Sequence, residues 1–571
     1  MLAALRLTEL PWLWHHLRRP GRVLRMDRVP DSIPAAIQHI WSRLLFPSRG
    51  PTDVGPINPV YLVVLLIVPG LLLYPCLGFA LFEPDESRYA QIPREMLQRG
   101  DVVLPTLQSQ PYLDKPPLFY WLVLFSYQLF GVGAWQARLV PVLALHASLL
   151  AVYLLGRRSV GDRSAFVAAL LLTLAPGYIL TSRLLILDGL LTLCTTLTLL
   201  TALEAVRGQR FSDSWWFTSS LFCGLGILTK GPVILFLIAP PLVLFASVLT
   251  VARVGRYFGM ALALSVPWFV ALGVRQPEFV SYFFWEHNVQ RFLAPGIHVR
   301  GVWFYGPVLV GLLLPVSLLA VPFTRFLLSR LDAPARTREM GFHWFSALWC
   351  VGFFTLSACK LPTYILPAMP SLALVVGVFV TRTGWDRSPA FVSVGLASFA
   401  LTLGINLVAL PCYANYRSPL SRPEAVVELC SDPAASVVCY PRNCDSVAFY
   451  LGRRDLRVFR SKDIEELRTL VRVQPRTVIL CTHRSSLAGL KQLLPPEVVI
   501  TREVRLGLRD LSGVPPWLMK PLRKIMGETA LGLGDICVVE MPSLKERLLS
   551  KAPPASAGPT PPLLAVPGRK P

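Results

Sequence analysis

The stretch 59-PVYLVVLLIVPGLLLYPCLGFALF-82 carries no charge, and about 20 such residues in a helix cross a bilayer. Comparable runs recur near 138–156, 164–181, 185–206, 215–229, 232–250, 257–274, 302–323, 342–358, 363–381 and 390–411, which makes eleven expected spans. Composition agrees: 53% of the residues are hydrophobic and 16% charged, whereas a soluble chain carries about 25% charged residues. These observations exclude a soluble multidomain enzyme and a disordered or fibrous chain.

The formal net charge of +22 invites a nucleic-acid reading, but the placement of the charge opposes it. Before residue 411 most basic residues sit in short clusters between apolar runs, where they orient a membrane protein. The 14-residue piece 118-LFYWLVLFSYQLFG-131 is short for a span and reads as interfacial or re-entrant. Leaving it out, with a cytoplasmic N-terminus, puts 157–163, 207–213, 251–256, 324–341 and 381–388 inside. Each of those loops has more arginine than acid, as the positive-inside rule requires. Counting 118–131 as a span would invert every later loop.

This topology divides the chain into a basic cytoplasmic segment 1–57, a membrane domain 58–411 and an extracytoplasmic part 412–548. The first outer loop is 83–137 and the second 275–301. Residues 2–19 have the pattern of an amphipathic helix lying on the inner membrane surface. They do not read as a cleaved signal, because the first long apolar run begins near 59. Beyond Pro411, β-like runs at 436–440, 477–481, 498–500 and 536–541 alternate with helical stretches such as 462–472, predicting a small soluble α/β domain. The Pro-rich tail 549–571 is expected to be disordered. Of the eleven cysteines, five accompany apolar runs as small hydrophobes and six lie beyond 411, where an oxidising compartment allows disulfides.

Topology also sorts the reactive side chains. Residues 1–411 contain three lysines, Lys115, Lys230 and Lys360, all on the expected outer side and each followed closely by proline. Interfacial lysines often only snorkel to the surface. Where arginine is otherwise abundant, however, a compact ammonium suits an anionic ligand. Asp85 and Glu86 follow the first span beside Arg88 and Tyr89. Acids in that place either begin an interfacial helix or supply a general base. Asp188 opens a span, either as a capping acid or as a lining of a polar cavity. His287 follows Glu286 on the second outer loop, and no HExxH or CxxC pattern marks a metal site. Acids and cations on one outer face fit an anionic, membrane-borne substrate, and a lipid phosphate is such a group: it leaves as a stable anion once cations balance its charge.

The strings FEPDESRYAQIPREM, GDVVLPTL, PYLDKPPLFYW, LDGLLT, LTKGPV, FWEHNVQRF and KLPTYILPAMP occur in this order between about residues 59 and 380. Together they resemble the bacterial lipid A aminoarabinose transferases and the wider dolichyl-phosphate-mannose protein mannosyltransferase family. The resemblance implies a GT-C type fold: a polytopic α-helical membrane protein of about 11–13 spans with a small C-terminal soluble α/β domain. It implies an inverting glycosyltransferase of the bacterial cytoplasmic membrane that takes a sugar from a polyprenyl-phosphate donor. The acceptor would be a lipid such as lipid A, a glycan or a protein hydroxyl outside that membrane, and no nucleic acid is involved.

By the same resemblance Asp85, with Glu86 beside it, would be catalytic. Lys115, Arg291 and Tyr364 would hold the donor phosphate, and Arg88, Tyr89, Tyr112, Asp188, Lys230 and Lys360 would line the substrate cavity. No cofactor is required, although Asp114 and His287 match a metal pair of the aminoarabinose transferases and would here hold a divalent ion, zinc, magnesium or manganese. Here the acid is aspartate rather than glutamate, which shortens its reach. Two rival classes exist. A transporter or flippase for an anionic lipid-linked substrate predicts mid-span charges and repeat symmetry, and a non-catalytic scaffold leaves the lysines and the Asp85 loop without a purpose.

Overall fold

The computed structural model describes residues 55–208, 210–245, 250–293, 298–417, 423–441, 444–453, 455–481, 484–505 and 535–541. The amphipathic reading of 2–19 and the disordered reading of 549–571 fall outside the described residues. Each of the eleven expected spans contains helix. Among the described residues, five helices are long and apolar enough to cross a membrane, or seven if each of two bent pairs is one span. The bends, 71° between Asp162–Thr173 and Pro176–Ser182 and 112° between Val302–Leu313 and Val316–Leu328, fall at Pro176 and Pro315. Proline lacks the N–H that would carry a helix through those points. Pro59–Leu73, Leu118–Phe130 and Val233–Phe245 are shorter apolar helices.

Local chemistry explains how polar residues sit in apolar helices. Along Leu187–Arg207 the hydroxyls of Thr192, Thr196 and Thr198 donate to carbonyls four residues back, at 2.7–2.8 Å. This satisfies them without a partner helix. Helices Asp213–Lys230 and Val251–Arg275 approach closely at Gly224, where a Cβ would lie 2.9 Å from the Ala261 carbonyl oxygen.

The loop after the first span is a folded unit. Helix Asp85–Arg99 begins with two acids, ends at Gly100 (φ 64°), and buries Glu86, Tyr89, Ile92 and Met96. Helix Leu118–Phe130 packs on it through Phe119, Tyr120 and Tyr127. A short hairpin, β1 (Thr106–Leu107) and β2 (Gln110–Pro111), closes the loop.

Glu86 and Arg138 anchor this unit from below. Glu86 is 2% exposed and Arg138 fully buried. The carboxylate accepts from Arg138 Nε (3.0 Å) and Nη2 (2.5 Å) and from the backbone N–H groups of Phe82 (3.0 Å) and Leu185 (2.8 Å). The guanidinium also donates to the carbonyls of Leu77, Phe79 and Ala80 and stacks on the Phe79 ring at 3.6 Å. Glu86, expected beside Asp85 as a catalytic carboxylate, is therefore a structural anchor with both oxygens engaged. Glu86→Ala is expected to lower stability by about 3–5 kcal/mol, because it strands a buried cation. A paired Glu86→Leu/Arg138→Met replacement recovers most of the loss. Thermal unfolding of the detergent-solubilised variants checks both outcomes.

The described residues beyond 423 form one five-stranded sheet of β3 (Ser436–Tyr440), β4 (Arg457–Val458), β5 (Arg476–Cys481), β6 (Val499–Arg505) and β7 (Asp535–Glu540), ordered β4-β3-β5-β7-β6. β4, β3 and β5 are parallel, and β7 is antiparallel to both neighbours. Alternate residues of β3 feed two cores, Val437 and Cys439 on one face and Val438 and Tyr440 on the other. That alternation is why the run was legible as a strand. β4 is two residues long and carried no such signal.

Candidate active site

The site is assembled from helix ends. Helix Leu187–Arg207 places Asp188 in its first turn, and helix Asp213–Lys230 places Lys230 in its last. Lys230 Nζ donates to Asp188 Oδ1 at 2.6 Å and lies 4.4 Å from the Tyr364 ring centroid. Helix Asp213–Lys230 stops at Gly231, with φ at +81° and the Phe283 ring 2.7 Å from where a Cβ would sit. Both conditions exclude a larger residue. Tyr364 comes from the turn Pro362–Ala368, and its hydroxyl lies 3.5 Å from Arg291 Nη2.

Arg291 follows Ser281–Gln290, which is a π-helix. Its wider turn brings residues five apart onto one face. The Tyr282 and His287 rings accordingly lie 6.1 Å apart. His287 Nε2 is 2.6 Å from Lys115 Nζ, and Tyr282 donates to Asp114 Oδ1 at 2.6 Å. Burial, reinforced by the Lys115 charge, pushes the His287 imidazole down to about 3. Burial likewise brings Lys115 down to about 7, with Lys230 and Arg291 acting in the same direction and Asp114 opposing them. Burial opposes the charge on Asp114, but His287, then the Tyr282 hydroxyl and Lys115, hold it below the usual carboxylate range.

These residues line two hollows. One, of about 420 Å³, carries Lys115, Lys230, His287, Arg291 and Tyr364 at its polar end and is otherwise lined by apolar side chains such as Phe236, Phe292 and Phe353. The other, of about 530 Å³, is lined by Tyr112, Asp114, Glu278, Ser281, Tyr282 and Glu286. Consecutive residues Asp114 and Lys115 thus face different hollows, one lined by acids and one by cations. Tyr112 links them to the loop helix, since its hydroxyl interacts with Asp114 and Arg88, and Arg88 lies 3.7 Å from Asp85. The Asp85 side chain is 60% exposed, and among the described residues Arg88 is its ion-pair partner. Its carboxylate is available to a ligand.

The structure thus brings together Asp85, Arg88, Tyr89, Tyr112, Asp114, Lys115, Asp188, Lys230, His287, Arg291 and Tyr364; the Tyr89 ring, 8% exposed, packs against Phe119 and Tyr120, and its hydroxyl feels the charges of Asp85, Arg88 and Asp188. It does not bring in two other expected residues. Glu86 is the buried anchor already described. Lys360, expected in the cavity, is 4% exposed and donates to the carbonyls of Ser357 and Arg300, fastening two chain segments. Arg138 was missed because a lone arginine at the start of a span reads as an interfacial charge. Its pairing with Glu86 spans 52 residues of sequence.

Asp114 and His287 do not make a closed metal centre. Among the described residues no three His, Cys, Asp or Glu side chains converge as ligands. Asp114 Oδ1 is taken by Tyr282 and His287 Nε2 by Lys115.

Comparisons with known proteins bear on the fold and on the family. The family model for dolichyl-phosphate-mannose-protein mannosyltransferase matches residues 114–270. The undecaprenyl phosphate-alpha-4-amino-4-deoxy-L-arabinose arabinosyl transferase of Pseudomonas aeruginosa (strain LESB58) is 35% identical over 379 residues, 63% of this chain and 67% of that protein. Arabinosyl transferase 1 of Pseudomonas fluorescens (strain Pf0-1) is 33% identical, over 60% of this chain and 63% of its own length. The match to these relatives therefore spans about two thirds of their length or less. Among solved structures, ArnT from Cupriavidus metallidurans bound to undecaprenyl phosphate superposes with a TM-score of 0.66 at 20% identity, covering 85% of this chain and 98% of that one. That likeness establishes a polytopic GT-C fold. The chain belongs to the GT-C glycosyltransferase family of these aminoarabinose transferases.

Proposed function

We propose that the protein transfers a sugar from a polyprenyl-phosphate donor to an acceptor at the outer face of a bacterial cytoplasmic membrane, inverting the anomeric carbon. The observation that carries this reading is the 420 Å³ hollow, whose Lys115, Lys230, Arg291 and Tyr364 form a cationic mouth on an aromatic and aliphatic groove. A phosphate seated at the mouth leaves its prenyl chain along the apolar wall. The acceptor oxygen attacks the anomeric carbon from the side opposite the phosphate. As the bond from that carbon to the phosphate oxygen breaks, its electron pair stays on the phosphate, and the cations stabilise the departing charge. No acid is needed, because the leaving group is already a stable anion. If the acceptor is a hydroxyl, Asp85 takes its proton. If the acceptor is itself a phosphate, as on lipid A, no proton moves and Asp85 orients it. No step passes through a metal.

In this reading the N-terminus is cytoplasmic, and the loops 83–137 and 275–301 lie outside with the C-terminal α/β unit, which is soluble. The acceptor is a membrane lipid, a glycan or a protein hydroxyl. The transporter reading is not favoured, because the site charges gather at helix ends and in loops rather than at mid-span. The test is incubation of the purified protein with radiolabelled polyprenyl-phosphate sugars and envelope acceptors. Free polyprenyl phosphate is expected to appear together with labelled acceptor. Tight donor binding without release would overturn transfer in favour of a carrier.

A further inference from the structure

The first loop carries a carboxylate that the mechanism does not use. Glu83, two residues before Asp85, accepts from Ser87 Oγ at 2.6 Å within its own loop. It also accepts, at 2.6 Å, from the backbone N–H of Ser446, which lies in the C-terminal α/β unit. Ser446 belongs to helix Asp445–Leu451, which follows β3 and lies along the loop helix Asp85–Arg99.

That helix is gripped at several further points. Asp445, wholly buried, accepts from Gln108 Nε2 at 2.7 Å. Gln108 sits at the turn of the β1–β2 hairpin, and the hairpin is itself held on the loop helix by Glu95. The Glu95 carboxylate accepts from Thr106 Oγ1 (2.8 Å) and from the N–H groups of Gln108 (2.7 Å) and Ser109 (3.1 Å). At the far end Arg94 donates to the Phe449 carbonyl. The Phe449 ring is 3% exposed and belongs to the same apolar cluster as Tyr89, Ala90 and Tyr127. Tyr450 accepts through its hydroxyl from the Leu81 N–H at 3.2 Å.

Asp85 therefore sits between two fastened carboxylates. Glu86 is tied to Arg138 and Leu185 in the membrane domain, and Glu83 is tied to the α/β unit. The intervening Asp85 faces solvent with freedom only in its own side chain. We propose that the C-terminal α/β unit is a positioning element for the reaction, and that Glu83 is the residue through which it sets the placement of Asp85. Misplacing a reacting group by about 1 Å costs on the order of 10²-fold in rate. Donor binding rests on Lys115, Lys230, Arg291 and Tyr364, none of which touches this contact.

The kinetic half of the test rests on the proposed transfer reading, and the exchange half does not. In the full-length protein, Glu83→Ala is expected to lower kcat by about 10-fold or more at an unchanged donor KM. It should also speed amide hydrogen exchange in 81–99 while leaving 362–383 as in the wild type. Glu83→Gln retains one acceptor oxygen and is expected to fall between the two. Wild-type kcat and protection in Glu83→Ala would overturn the proposal. So would a rise in KM with exchange accelerated throughout, which marks general instability. If the wild type transfers nothing, yet Glu83→Ala loosens only 81–99, the clamp stands and the transfer reading fails.

Discussion

Asp85→Asn is expected to lower turnover with a hydroxyl acceptor by about 10²–10⁴-fold, the range of a lost general base. The fold should be unaffected, because the Asp85 side chain is 60% exposed and its ion pair with Arg88 is long, at 3.7 Å. Exposed pairs of that kind contribute little to stability. The affinity for free polyprenyl phosphate should also be unchanged, since the residues of the cationic hollow remain. The separation of a lost kcat from a retained Kd is the informative result. With a phosphate acceptor the loss should be smaller, because no proton is taken and only orientation suffers. Full turnover in Asp85→Asn with both acceptor types would remove the residue from the reaction.

Lys115→Ala is expected to lower kcat by about 10²–10³-fold, the scale of one lost donor to a developing anion, and to weaken polyprenyl phosphate binding. Lys115→Arg should fall close to the alanine variant. The Lys115 ammonium lies 2.6 Å from His287 Nε2 and faces a hollow already shared with Arg291 and Lys230. A planar fork there meets groups placed for a compact charge. Steady-state kinetics and a binding isotherm for polyprenyl phosphate distinguish the two variants. Wild-type turnover in Lys115→Arg would show that the site needs only positive charge.

Which parts of this site were legible follows from where the information lies. The use of lysine against an arginine background marked Lys115 and Lys230, because the choice of cation is written one residue at a time. The same rule named Lys360, yet that ammonium is spent on two backbone carbonyls. A buried structural lysine and a ligand-binding one look alike until their neighbours are known. Glu86 failed for a similar reason. Adjacent carboxylates suggest shared chemistry, but successive residues on a helix point about 100° apart. Asp85 thus faces outward while Glu86 turns inward to Arg138.

The sequence alone determined the membrane class, and it located helix within each expected span, strands beyond 411 and most of the charged residues that the structure gathers. Those properties depend on local periodicity, run length and residue type, which need no partner to be read. The tertiary structure alone decided the π-helix that aligns Tyr282 with His287, the Glu86–Arg138 anchor and the grip of the α/β unit on the Asp85 loop. The last joins residues 363 positions apart. Each of these depends on which distant groups desolvate one another. No spacing in the chain encodes that, because it exists only once the helices have packed.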